Sequence, residues 1–201
     1  MQKLLVNPIV LTLLLFVSCK STPTESTRQS DSVKNDQYLK ATENRYTAEI
    51  TKNRTGFDAY VHRALTRIML KDYTGALSDC QSAIKIDPKK CPHFVVGEAR
   101  AGLNDYTGAI DAFTNEIKDH PDNDLGYSRR AEAEQKIKNM AAALDDYDSA
   151  IRVSPTYGYT YERRAVLELQ MNKKNEALAD FKKASELGVK NTGVSVTADG
   201  K

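Results

Sequence analysis

Asp72-Tyr73-Thr74-Gly75-Ala76 returns letter for letter as Asp105-Tyr106-Thr107-Gly108-Ala109, 33 residues later. From these two copies the register extends both ways. Ala109 is followed at steps of 34 by Ala143 and Ala177, and Pro88, Pro121 and Pro155 recur at steps of 33 and 34. Self-similarity at a fixed period of this length marks stacked supersecondary units, each too small to bury its own apolar side. Four units cover residues 57–188, divided as 57–89, 90–123, 124–157 and 158–188.

Each unit holds two apolar-periodic runs split by a short polar break, which predicts a helix, a turn and a helix. The predicted helices are 57–70, 74–86, 91–102, 107–119, 124–137, 141–153, 158–170 and 174–187. Proline, which lacks an N–H and clashes with the preceding turn, closes the second helix of three units. Gly188 closes the fourth. The fold class is therefore all-α, an α-solenoid of four tandem helix-turn-helix repeats.

The slots within the unit resemble the tetratricopeptide repeat family. Its first aromatic slot holds Tyr60, His93, Tyr127 and Tyr161, its small slot Ala64, Gly97, Ala131 and Ala165, and its later aromatic slot Cys80, Phe113, Tyr147 and Phe181. The resemblance implies a superhelix whose first helices line a concave groove for a peptide or a partner protein, with no chemistry and no cofactor. The chain departs from the family where a leucine is usual, with Arg63, Val96, Arg130 and Arg164. It departs again at the second tyrosine slot, with Arg67, Arg100, Glu134 and Glu168. These charges are expected to change what lies beside the groove. Arg130 with Glu134, and Arg164 with Glu168, stand four apart and predict intrahelical pairs. Arg63 and Arg67 lack such acids and leave room for an anion.

Ahead of the repeats, Lys3 leads into an apolar run from Leu4 to Val17 that is shorter than the roughly 20 residues a spanning helix needs. A basic start, an apolar middle and a small residue before the cut predict a signal peptide over 1–18. Leu15-Phe16-Val17-Ser18-Cys19 resembles the lipobox of bacterial lipoproteins, although Phe16 stands where leucine is usual. That resemblance implies that Cys19 becomes the lipidated first residue. Lys20 replaces the aspartate that resembles an inner-membrane retention signal, which implies the periplasmic face of the outer membrane. Residues 19–35, rich in Ser and Thr, are expected to be a flexible tether, 36–56 an N-terminal helical segment, and 189–201 a loose tail.

Composition narrows the function. Lys and Arg number 29 against 27 Asp and Glu, so the basic excess that nucleic-acid binding draws on is missing. His62, His93 and His120 form no i,i+4 pair and have no C-x2-C companion, so no metal site is predicted, and His93 reads as a packing residue. Cys80 and Cys91 fall too far apart for a disulfide, one in the core and one beside the groove. Neither a phosphate-binding loop nor a nucleophile elbow occurs, so no enzyme and no catalytic residues are expected.

Binding is therefore sought in the groove. Val61, Leu65, Ile68 and Met69 form an apolar stripe on the first helix, extended by Phe94, while Glu98, Glu132, Gln135 and Glu162 make the remainder polar and acidic. An apolar peptide or helix suits the first end. Alternatively residues 36–51 fold back over the stripe as a cap, and both readings stay open. The resulting expectation is a membrane-anchored adaptor for a protein or peptide of the cell envelope, without nucleic acid, with a homodimer through the repeat ends as a further partner. The rival is a periplasmic carrier of a small apolar ligand for a transporter, which needs a closed cavity.

Overall fold

Each copy of the Asp-Tyr-Thr-Gly-Ala stretch starts a helix for a local reason. Asp72 Oδ1 accepts a hydrogen bond from Gly75 N at 2.9 Å, and Asp105 Oδ1 accepts one from Gly108 N at 3.0 Å. Each aspartate thus satisfies one of the amide groups that a helix start leaves without a partner. A β-carbon on either glycine would press against the capping carboxylate.

The computed structural model describes residues 25–53 and 56–190. Its helices are α1 (Glu25–Lys52), α2 (Phe57–Met69), α3 (Tyr73–Ile86), α4 (His93–Gly102), α5 (Tyr106–Asp119), α6 (Asp124–Lys136), α7 (Met140–Val153), α8 (Gly158–Gln170) and α9 (Lys174–Glu186), with no strand among the described residues. Every predicted repeat helix begins and ends within two residues of an observed one. At the N-terminal side the helix starts earlier than expected: residues 25–35, read as tether, are helical, in a stretch free of Pro and Gly. The chain divides into two units, 1–38 and 39–201. The first contributes only the start of α1 to the described residues. Cys19, the signal segment and most of the tail lie outside them.

Within the second unit, successive helices pack as α2 on α3, α3 on α4 and so on to α8 on α9, with the first helices of neighbouring repeats also touching, α2 with α4 and α4 with α6. Ala64, Ala131 and Ala165 meet Ala76, Ala143 and Ala177 with no exposed surface, so small side chains let paired helices approach closely. Cys80, Phe113, Tyr147 and Phe181 fill the space beyond them and are buried. Each first helix ends at the same step of the repeat in a residue of positive φ: Lys71 at 63°, Asn104 at 64°, Lys138 at 67° and Asn172 at 61°. The next amide then reaches back five residues, as Asp72 N does to Arg67 O at 2.8 Å and Lys173 N to Glu168 O at 2.8 Å. This closure satisfies a terminal carbonyl and fixes the tight turn into the second helix.

The prolines follow the second helices as expected, and Pro121 and Pro155 also offer carbonyls to Tyr127 Oη at 3.3 Å and Tyr161 Oη at 3.1 Å. At the end of the array Gly188 takes φ 89°, and Val189 N bonds Ala184 O at 3.0 Å.

Candidate functional site

The substituted leucine slot builds the seam between helices. Arg63 Nε and Nη2 donate to the two carboxylate oxygens of Asp79 at 2.9 and 2.6 Å. Arg130 grips Asp146 in the same way at 2.8 and 2.7 Å, and Arg164 grips Asp180 at 2.6 and 2.8 Å. These forked pairs correct the expectation of Arg130–Glu134 and Arg164–Glu168 pairing. The partner stands on the second helix of the same repeat, where a planar guanidinium and a carboxylate match in two bonds at once. Held by these bonds, the arginines turn into the seam and not towards the groove. Their guanidinium groups are held above the ordinary range, Arg164 most of all, by those aspartates against the opposing effect of burial.

The anion expected at Arg63 and Arg67 comes from the chain itself. Arg67 Nε donates to Glu43 Oε1 at 2.8 Å, and its Nη1 reaches Asp79 Oδ2 at 2.9 Å. Arg63 Nη1 also donates to Thr47 Oγ1 at 3.1 Å, and the Tyr46 ring stacks on His62 with centroids 5.4 Å apart. Residues 39–52 therefore cover the His62, Arg63 and Arg67 side of α2. Leu65 and Met69 stay 37% and 63% exposed, so the apolar stripe itself is left open there. The stripe is not uniform. Val61 and Ile68 pack against the core cluster of Ala64, Ala76, Cys80, Val95 and Ala99. Phe94 turns towards Phe113, with ring centroids 5.9 Å apart, and packs on the next core cluster.

Further along, the groove is not simply acidic. Arg129 Nη1 donates to Glu132 Oε2 at 2.8 Å and its Nε stands 3.2 Å from Glu98 Oε1. Arg163 pairs with the other oxygen of Glu132. Acid and base thus alternate over α4, α6 and α8. Burial pushes the Glu98 carboxyl up, against the pull of Arg129 and Arg163, and burial with the nearby Arg129 charge lowers Arg163. Arg129 and Arg163 were missed as groove residues, although they stand 34 apart and share one step of the repeat.

Between α6 and α8 lies a cleft of about 630 Å³ lined by Arg129, Glu132, Gln135, Lys136, Lys138, Tyr147, Glu162, Arg163, Val166 and Gln170. Gln135 Nε2 donates to the buried Tyr147 Oη at 2.8 Å, which fixes the cleft floor. Four cations face two acids there, so the lining carries an excess of two positive charges. Of the predicted groove residues, Glu132, Gln135 and Glu162 meet in this cleft. Glu98 lies beside it in a smaller one of about 160 Å³, and Val61 and Phe94 line a third of about 390 Å³ with Cys91 and His120. No group of three His, Cys, Asp or Glu able to hold a metal, and no helix long and apolar enough to cross a membrane, occurs among the described residues.

No protein-family model matches the chain. Its fold is that of solved tetratricopeptide repeat structures. A crystal structure of MamA superposes with a TM-score of 0.66 at 16% identity, covering 78% of this chain and 92% of the other. MamA from Desulfovibrio magneticus RS-1 gives 0.65 at 12%, covering 83% and 97%. A tetratricopeptide repeat protein from Parabacteroides merdae gives 0.62 at 23%, covering 76% and 61%. Identities this low speak for the fold alone. Among curated proteins, sperm-associated antigen 1 of Rattus norvegicus is 30% identical over 90 residues, 40% of this chain and 9% of that protein. The Mus musculus counterpart is 31% identical over the same length. The chain thus spans about a tenth of the length of the curated relatives it matches.

Proposed function

We propose that this chain is an envelope adaptor, tethered to a membrane by lipid on Cys19, that holds an acidic segment of a partner protein in the cleft between α6 and α8. The fold supports protein interaction in general, because stacked repeats present an extended surface of side chains. One observation carries the choice of ligand: the cleft is lined by Arg129, Lys136, Lys138 and Arg163 against Glu132 and Glu162, and cations stay in excess even with Glu98 beside Arg129. Glu132 already serves two arginines, so an incoming carboxylate meets donors that are held in place and partly desolvated. A charged open cleft suits a peptide better than the small apolar ligand of the rival carrier reading.

The address rests on Leu15-Phe16-Val17-Ser18-Cys19 and on Lys20 after it. Two or three acyl chains on the new N-terminus hold a protein at a bilayer, where one chain binds only marginally. The test joins both parts. A photo-crosslinking residue placed at Gln170 in cells is expected to capture a protein through an acidic segment, and Arg163→Glu to abolish that capture. Cys19→Ala is expected to leave an uncut precursor that takes up no clickable palmitate. Equal capture by the charge-reversed variant overturns the cleft, and equal labelling of the Cys19 variant overturns the anchor.

A further inference from the structure

The first two repeats each offer two apolar side chains to the first helix of the next, and the third, with Gln135 at one of these two steps, offers one. Ile68 and Leu77 pack against the cluster that contains Ala99, Ala101 and Ile110 against the one that contains Ala133, and Leu144 against the one that contains Leu167. At the same two steps of the fourth repeat stand Leu169 and Leu178. They are 40% and 48% exposed, and no described helix follows to cover them. The last cluster, Ala165, Ala177 and Phe181, carries no apolar rim among the described residues. Among the described residues the fourth repeat therefore leaves open an apolar face of the kind that receives the next helix elsewhere in the array.

Charge tells which helix fits. Where a first helix docks on the element before it, its leucine-slot residue meets a fixed neighbour: Arg63 meets Thr47, Arg130 meets Thr114 at 3.0 Å and Arg164 meets Asp148 at 2.6 Å. The corresponding place on α9 is Lys182, exposed and without an ion pair to any described residue. A second copy of this chain docking through α2 would set Arg63 against Lys182. Like charges would then face each other, so the face does not suit self-association through α2.

We infer that the C-terminal face of α8 and α9 receives an amphipathic helix of a different protein, bearing an acidic residue opposite Lys182 and, three residues later, a small or apolar residue against Leu169 and Leu178. The spacing is that of the chain's own docked helices, where Arg130 precedes Ala133 and Arg164 precedes Leu167 by three. Such a face is separate from the α6–α8 cleft, so one adaptor carries two partners at once.

The probe is a helix-stapled, fluorescent peptide of residues 158–170 carrying Arg164→Glu, titrated into the full chain and compared with the same peptide bearing arginine. The acidic peptide is expected to bind about fivefold more tightly, the swing of one exposed charge contact from repulsion to attraction. Lys182→Glu is expected to reverse that order, and Leu169→Ser with Leu178→Ser to abolish binding of both peptides. Circular dichroism checks that the double variant folds; if it does not, the Lys182→Glu reversal decides alone. Equal affinity for the two peptides overturns the inference. So does binding that appears only once residues 191–201 are removed, which would make the chain's own tail the occupant. A concentration-dependent dimer lost with Leu178→Ser would make it a second copy and overturns the inference as well.

Discussion

Arg63 donates to Thr47 across a gap of 16 residues, and the same step joins Arg130 to Thr114 and Arg164 to Asp148. Thr114 and Asp148 belong to second helices of complete repeats. Thr47 therefore places residues 39–52 where the second helix of a preceding repeat would lie. Ile50 keeps the register too, standing 34 residues ahead of Ile84. Only half a repeat is present there among the described residues, and its outward side is polar, with Lys40, Asn44, Arg45 and Lys52 exposed. A helix that buries Leu39 and Ile50 and ends the array in charge closes it against further stacking.

Removing residues 25–52 takes away the buried Leu39 and Ile50 and strips Arg67 of Glu43. The loss of two buried aliphatic side chains alone costs about 3 to 5 kcal/mol. Thermal denaturation followed by circular dichroism is expected to show a lower Tm with the remaining helices intact. An unchanged Tm would mean that residues 39–52 do not support α2.

The forked pairs invite a double-mutant cycle, because the second repeat shows what replaces them. At the steps of Arg130 and Asp146 it carries Val96 and Ala112, both apolar. Arg130→Val alone leaves Asp146 nearly buried without its partner, and Asp146→Ala alone strands the guanidinium; each is expected to cost about 3 kcal/mol. The double change restores an apolar seam and is expected to cost about 1 kcal/mol or less. Urea unfolding of the four proteins measures the coupling, and strictly additive losses would contradict it.

Glycine in the middle of a helix usually gains stability on change to alanine, but Gly97 is expected to lose it. A β-carbon there would stand 2.5 Å from Phe113 Cε1, and Phe113 has no exposed surface through which to retreat. Gly97→Ala is expected to destabilise by about 1 to 3 kcal/mol through overpacking. Gly97→Ala combined with Phe113→Leu should recover most of that, as read by urea unfolding.

The repeat register was fully legible because the recurring alanines and prolines are direct consequences of close helix packing and of chain reversal. The partners of the arginines were not. A residue four along the same helix and a residue 16 along the chain, across the turn, are both within reach of a guanidinium, and helical periodicity alone does not choose between them. Residues 39–52 gave a weak signal for a related reason: much of their docking runs through Glu43, Tyr46 and Thr47, and only Leu39 and Ile50 are apolar and buried. The cleft cations were hidden differently. Arg129 and Arg163 each sit next to a seam arginine, Arg130 or Arg164, and consecutive identical residues mask which one serves which face.

Alkaline pH should unfold the protein through two buried acids. Burial pushes the Cys80 thiol from 9.0 up to about 12 and the Tyr147 phenol from 10.0 up to about 12. Both groups stay neutral in the folded chain while the unfolded chain ionises, so the unfolded state binds fewer protons and stability falls as pH rises from about 9 towards 12. Melting curves taken over that interval are expected to show a falling Tm, with a shallower fall in Cys80→Ala. The same burial predicts that a maleimide labels Cys91 in the native protein and Cys80 only after unfolding; equal labelling rates would refute it.

The apolar stripe on α2 divides into two pairs with opposite expected behaviour. Val61 and Ile68 are half-buried and pack on the first core cluster, so Val61→Ser with Ile68→Ser removes apolar contact from the α2–α4 boundary. That variant is expected to lose about 2 to 3 kcal/mol and to melt lower. Leu65 and Met69 are 37% and 63% exposed, so Leu65→Ser with Met69→Ser should leave Tm almost unchanged. If the open half of the stripe is where a partner lies, this second variant is the informative one: it should fold and melt like the parent yet lose crosslinks from a photoreactive residue placed at the exposed Asp58, two turns before Leu65. Unchanged crosslinks in a variant of unchanged stability would leave the acidic-segment cleft between α6 and α8 as the working surface of the groove.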